Sequence, residues 1–244
     1  MTSITLWALE SDYDKEVVKC LADKLNNYNK LDNIFIRAVG KKAIPKRLKG
    51  LKDPDAAIKK AVELYLKQDR CVIFVIDTDG SMSSHQRRKE QNSLINQVER
   101  MIKSFDGRVY CAYAVHEIEA WLLIDCEGIF CYFADKRNKY KENCRETIRK
   151  KQEIVRLIKK HQRGNTELIV EAEAGGTGVK EYLIKFSKEI LRLLNPKMPI
   201  KNIDDEKYCE ALSPHLAEYI EINSETLKRN VSLEKLGDLI KQYK

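Results

Sequence analysis

The stretch Cys71–Gly80 reads CVIFVIDTDG, six apolar residues running straight into two aspartates separated by one threonine. An unbroken apolar run of this length, rich in β-branched residues, predicts a strand buried on both faces, as in a parallel sheet. Asp77 and Asp79 sit two apart at its carboxyl end, so an extended chain projects both side chains to the same side. Carboxylates forced together repel, and burial raises the cost of their charge. A divalent cation would resolve that conflict. D-T-D-G is also good turn chemistry, and on this pair alone the two readings stand side by side.

Outward from this strand, strands alternate with helices. ITLWAL (4–9) reads as a first strand that ends at Glu10, and Asp12 to about Asn29 carries Val17, Val18, Leu21, Ala22 and Leu25 at helical spacing, with Ser11 or Asp12 as cap. IFIRAV (34–39) is a second strand, and Asp53-Pro54 opens a helix to about Lys67. An amphipathic helix over 89–105 and a strand RVYCAYAV (108–115) follow. This order predicts an α/β fold, a mostly parallel sheet flanked by helices. Beyond it HEIEAWLLID (116–125) begins a helix, 139–162 reads as one long charged helix, ELIVEAE (167–173) as a short strand and 179–194 as a helix. The expected organisation is an α/β core over 1–130 and a mainly helical, basic extension over 131–244, with one continuous domain as the alternative.

In open parallel sheets ligands collect outside the carboxyl ends of the strands. Three predicted strands end there in acids: Glu10 after the first, Asp77 and Asp79 after the third, Glu117 and Glu119 after the fourth. Carboxylates with room for water and substrate phosphates suit Mg²⁺ or Mn²⁺. His116, beside the last pair, is a ligand or a structural residue, and His85 lies in a polar stretch just after Asp79.

Subtracting 37 acidic from 45 basic residues gives a net charge of +8, concentrated in two places. KKAIPKRLKGLK (41–52) has six basic residues and no acid; 136–163 has twelve basic and three acidic residues. Such concentrations suit a polyanion, DNA or RNA, although a solvated lysine-rich surface accounts for them equally. Candidate phosphate contacts are Lys41, Lys42, Lys46, Arg47 and Lys49, then Arg87, Arg88 and Lys89 after the D-x-D strand. Lys180 in the Gly-rich EAGGTGVKEY (173–182) is another, although that stretch lacks the spacing of a P-loop and reads as a plain strand-to-helix turn. Tyr132, Phe133 and Tyr140 could stack on bases or fill a core. Seven cysteines without C-x-x-C spacing read as reduced, structural thiols, and no run approaches the length of a membrane span, so a cytoplasmic protein is expected.

The motifs ALESD (8–12) and FVIDTDG (74–80), two strand-helix units apart, resemble the Toprim domain of topoisomerases, primases and small nucleases. HEIEAWLLID resembles an acidic-then-apolar stretch of small stand-alone Toprim-like proteins related to the OLD-family nucleases of phage-defence and mobile-element settings. The likeness covers about residues 4–125; Ser11 stands where the family usually has Gly after the glutamate. It implies a Mg²⁺-dependent phosphodiester-cleaving site in which Glu10 acts as general acid/base or ligand. Asp77 and Asp79 would hold the metal, and Glu119, which matches the pattern better than Glu117, would complete one or two metal positions, Glu117 either joining it or facing solvent. It also implies a partner ATPase, with an oligomer compatible. Two other readings stand beside it: a haloacid-dehalogenase-like phosphatase with Asp77 as nucleophile, and a non-catalytic nucleic-acid-binding or regulatory subunit.

Overall fold

The computed structural model describes residues 2–40, 54–78, 93–105, 107–115, 117–140, 143–162, 164–168 and 178–244. The chain divides into two compact units, one of residues 1–118 with 232–244, the other of residues 119–231.

The first unit is α/β, as the alternation of apolar runs predicts. Strands β1 (Thr2–Ala8), β2 (Ile34–Val39), β3 (Cys71–Asp77) and β4 (Val109–Ala114) form one parallel sheet in the order β2-β1-β3-β4. β3 is buried along its whole length, which explains its unbroken apolar run: it is an interior strand covered on both faces. One face carries Trp7, Leu9, Val72, Phe74, Ile76 and Val109, and packs on Ile58, Ala61 and Val62 of helix α2 (Pro54–Tyr65) and on Ile95, Val98 and Met101 of α3 (Leu94–Ser104). Trp7 stacks on Phe74 at 5.3 Å between ring centroids and meets Tyr65 edge-on. The alternate residues Ile4, Leu6, Ile73 and Val75 are equally buried and point to the opposite face. Helix α1 (Asp12–Tyr28) contributes Val17, Val18, Leu21 and Leu25 to the core and packs on β1 and β2. The last helix (Val231–Lys241) returns to this unit, its Gly237 lying against Leu25.

Because β1 connects to β2 on one side and the chain then crosses to β3 on the other, the strand order reverses between β1 and β3. That crevice is where open α/β sheets bind ligands.

The second unit is helical: α4 (Glu119–Leu122), α5 (Cys126–Asp135), α6 (Cys144–Lys150), α7 (Gln152–His161), α8 (Val179–Leu194), α9 (Ile200–Glu206), α10 (Ser213–Tyr219) and α11 (Ser224–Leu227); Val231–Lys241 is then α12. Helix α5 packs against α6, α7, α8 and α10. Asp125 organises this end of the unit. Its Oδ1 caps α5 through the N–H of Gly128 at 3.0 Å, its Oδ2 accepts from the N–H of Glu221 at 2.8 Å, and Arg145 pairs with it. Gly128 is required: a Cβ there would lie 2.4 Å from the Tyr219 carbonyl oxygen.

Three expectations are corrected. The single helix over 139–162 is two, α6 and α7, because Lys151 between them takes extended backbone, φ −107° and ψ 106°. Each piece buries its own apolar side, Ile148 in one and Ile154 and Ile158 in the other. Thr166–Leu168, at the start of the predicted strand 167–173, is a 3₁₀ turn whose Thr166 bonds to the Arg229 carbonyl; 169–173 lie outside the described residues. Not every cysteine is a thiol: Cys131 of α5 and Cys144 at the start of α6 form a disulfide across 13 positions, while Cys20, Cys71, Cys111, Cys126 and Cys209 are thiols. Spacing alone gives no sign of this pair, because the turn after α5 brings the two together.

A buried polar array ties α7 to α8. Nδ1 of His161 meets the Tyr182 hydroxyl at 2.9 Å and Nε2 meets Glu189 at 3.1 Å, while the ring stacks on Phe186. Burial lowers the His161 pKa below the ordinary value, outweighing Glu189, with Lys160 and Lys185 pushing the same way. Burial opposes the charge of Glu189, but its hydrogen bonds from Lys160 and His161 prevail and hold it below the usual carboxylate range. Both groups therefore resist protons more when folded than when unfolded. Their contribution to stability is full above about pH 6.5, the unfolded histidine value, and is lost as pH falls through the lowered folded values. Thermal melts at pH 7.5 and 5.5 should show a fall in melting temperature on acidification that shrinks in His161→Gln. An equal fall in the variant would assign the acid sensitivity elsewhere.

Candidate active site

The carboxyl edge of the sheet is built by strand register. Ala8 of β1 pairs with Val75 of β3, so two residues further along each chain Glu10 and Asp77 emerge at the same edge, on neighbouring strands either side of the strand-order reversal. Neighbouring strands lie about 4.8 Å apart, within the span of two carboxylates and one ion. After Glu10, the Ser11 hydroxyl accepts from the N–H groups of Tyr13 and Asp14 at 3.1 Å each, capping α1. The chain thus turns sharply from β1 into the helix with Glu10 at the bend, half-buried.

Asp77 is the last residue of β3, pairs with Ala114 of β4, and is buried. Its Oδ1 accepts a hydrogen bond from the N–H of Ile118 at 3.1 Å. Thr78 continues the attachment, its N–H and hydroxyl both donating to the Ala114 carbonyl, at 2.9 and 3.2 Å. The N–H of Val115 donates in turn to the Ser232 hydroxyl of α12. The segment after β4 is therefore held against the end of β3, and Glu117 lies in it, half-buried, with Oε2 shielded from solvent. Glu10, Asp77 and Glu117 thus all follow the carboxyl ends of strands of one sheet.

Glu119 belongs to the second unit and is buried there. Its Oε1 accepts from the Tyr208 hydroxyl at 3.1 Å and lies 3.8 Å from the ammonium of Lys180. The same Tyr208 hydroxyl shares a 2.6 Å hydrogen bond with Ser213. Burial, and then the Glu119 charge, push the Tyr208 phenol upward, so it stays protonated and acts as donor. Lys180 also pairs with Glu210 at 2.7 Å, which holds this cation between two carboxylates. Tyr208, Ser213 and Glu210 had no signal in the sequence, since Tyr208 lies 89 positions from the residue it holds.

Asp79, His85, His116, Lys41, Lys42, Lys46, Arg47, Lys49, Arg87, Arg88 and Lys89 lie outside the described residues. Among the described residues no group of three histidines, cysteines or carboxylates is arranged to hold a metal ion. Glu10 and Asp77, at the same edge of the sheet, offer oxygen donors alone, the set that Mg²⁺ and Mn²⁺ take in preference to softer metals. Tyr132 and Phe133 are buried and meet edge-on within α5, so both are core residues. Tyr140 carries the Lys151 ammonium 4.5 Å above its ring. No helix among the described residues is long and apolar enough to cross a membrane.

What fold and site define together is an α/β unit with a parallel sheet whose reversal point is flanked by acids. No family model, no curated protein and no solved structure matches this chain.

Proposed function

We propose that this protein is a metal-dependent phosphodiester-cleaving enzyme of Toprim type, with its centre at the carboxyl edge of the sheet. The observation that carries the reading is the register of β1 against β3, which delivers Glu10 and Asp77 to one rim across the strand-order reversal. Asp77 and Asp79 would hold Mg²⁺ or Mn²⁺, with Glu117 from the segment after β4. Bound there, the ion would polarise a phosphoryl oxygen and lower the pKa of a water. The chain's own part is positional. The Ile118 N–H fixes one oxygen of Asp77, and Ser11 caps α1 immediately after Glu10. Glu10, at the bend, is placed to take the proton of the attacking water. The concentrated positive charge at 41–52 and 136–163 suits a nucleic-acid substrate, and the resemblance implies an ATPase as partner.

The test is cleavage of supercoiled plasmid and of single-stranded DNA and RNA in Mg²⁺ or Mn²⁺, against the same protein in EDTA. Metal-dependent nicking supports the reading. Salt-sensitive binding without cleavage in either metal would replace it with a non-catalytic nucleic-acid-binding subunit.

A further inference from the structure

The opposite, amino-terminal edge of the sheet holds a cavity of about 390 Å³ lined by Arg70, Gly107, Arg108, Tyr110, Gln242 and Tyr243. We propose that this cavity binds a nucleoside 5′-monophosphate group, either a free mononucleotide or the 5′-phosphorylated end of a strand.

The charge of the lining is the first reason. Arg108 is fixed by neutral acceptors: Nη2 donates to the carbonyls of Leu66 at 2.7 Å and Asp69 at 3.4 Å, and Nε to that of Arg70 at 3.5 Å. These bonds set the plane of the guanidinium without cancelling its charge. The Arg70 guanidinium makes no hydrogen bond or ion pair among the described residues. The buried Asp69 carboxylate is itself engaged by the hydroxyls of Ser3 and Thr5 and by Arg37 at 3.5 Å. Two guanidiniums therefore line one cavity that has no carboxylate side chain among the described residues of its lining. Guanidinium forks match the oxygens of a phosphate monoester, and that ligand's double charge suits two of them.

The aromatic wall is the second reason. Tyr110 and Tyr243 meet edge-to-face, 6.1 Å between centroids, and Tyr110 is anchored by its hydroxyl to the Gly107 carbonyl at 2.7 Å. Burial pushes the Tyr243 phenol upward, so it stays neutral and adds no negative charge to the cavity. Rings beside guanidiniums give a planar base a surface to stack on. Gly107, at φ +65°, has open space where a side chain would stand, which keeps the rim clear. The volume falls in the range of small-ligand pockets, roughly 300–1,000 Å³. This site is independent of the carboxylate rim, since β3 alone separates the two edges by its seven residues, roughly 20 Å.

Titration calorimetry in EDTA tests it, so that the metal chemistry of the other edge plays no part. Adenosine 5′-monophosphate should bind with sub-millimolar affinity, more tightly than inorganic phosphate or adenosine alone. Arg70→Ala, at an exposed position whose guanidinium has no partner among the described residues, should leave the melting temperature in place and weaken binding at least tenfold; Tyr243→Leu should weaken it as well. A 5′-phosphorylated oligothymidylate binding tenfold tighter than the mononucleotide identifies a strand end as the ligand; equal or weaker binding identifies the free nucleotide. No binding of either probe at millimolar concentration overturns the proposal. So does unchanged affinity in Arg70→Ala, or phosphate alone matching the nucleotide.

Discussion

Asp77→Asn is expected to reduce Mg²⁺-dependent cleavage at least about a hundredfold while leaving the fold in place, and Glu10→Gln to do the same. The separation of the two effects follows from how Asp77 is held. Its Oδ1 accepts from the Ile118 N–H, and an amide oxygen of the same shape accepts that bond equally well. The packing of β3 is untouched, and the substitution removes one negative charge at the rim. Removing a charge from a crowded acidic edge is neutral or favourable for stability when no cation is bound, because it relieves repulsion. Loss of activity together with an unchanged or raised melting temperature in EDTA is therefore the signature of a metal-binding carboxylate. A fall in melting temperature matching the fall in activity would mark Asp77 as a structural cap for the segment after β4. Undiminished cleavage by both variants would remove these residues from the chemistry altogether.

The largest effect on stability is expected from Gly128→Ala in the helical unit. An added Cβ would stand 2.4 Å from the Tyr219 carbonyl oxygen and 2.7 Å from Oδ2 of Asp125. The first obstacle is backbone and cannot rotate away. The second belongs to the carboxylate that also receives Arg145 and the N–H of Glu221. Relief of the clash must separate α5 from the end of α10 or break the Asp125 cluster. Overpacking of this kind costs about 1–3 kcal/mol, and disturbing a buried ion pair adds to it. The gain in helix propensity from Gly to Ala, about 1 kcal/mol, acts in the opposite direction and does not offset both. Urea denaturation should show a destabilisation of about 2–3 kcal/mol or more. A variant as stable as the parent would mean that α5 and α10 are not in contact through this glycine.

Much of the sheet was legible in the sequence, because strand identity follows from local composition. IFIRAV is β2 residue for residue, and CVIFVID is β3. The continuous apolar run of β3 predicted burial on both faces, and its interior place in the sheet supplies the reason. A cap at Ser11 or Asp12 was equally readable, since capping is a local interaction, and Ser11 fills the place. The helical half was less so. The break at Lys151 lies in a stretch of good helix formers, and what divides α6 from α7 is the separate burial of Ile148 and of Ile154 with Ile158, a tertiary matter. The bond between Cys131 and Cys144 likewise depends on a turn that no spacing rule encodes.

The candidate site divides in the same way. That Glu10 and Asp77 follow strands can be read from the chain; that those strands are neighbours in register is a property of the sheet. Glu119 shows the limit. Its position two residues after Glu117 matches a motif, but its hydrogen bond from Tyr208 and the nearby Lys180 and Ser213 depend on residues 61 to 94 positions away. Lys180 illustrates it again: a lysine after a Gly-rich stretch reads as a phosphate contact, yet it pairs with Glu210.

The proposed enzyme needs a cation held at Asp77 beside Glu10, at the reversal point of the sheet. Anomalous diffraction from crystals soaked in Mn²⁺ tests this most directly. A manganese peak is expected at the carboxyl edge, coordinated by Asp77 and in contact with Glu10 directly or through one water. A peak elsewhere, or no peak at that edge in crystals whose protein cleaves DNA in the same Mn²⁺ concentration, would contradict it.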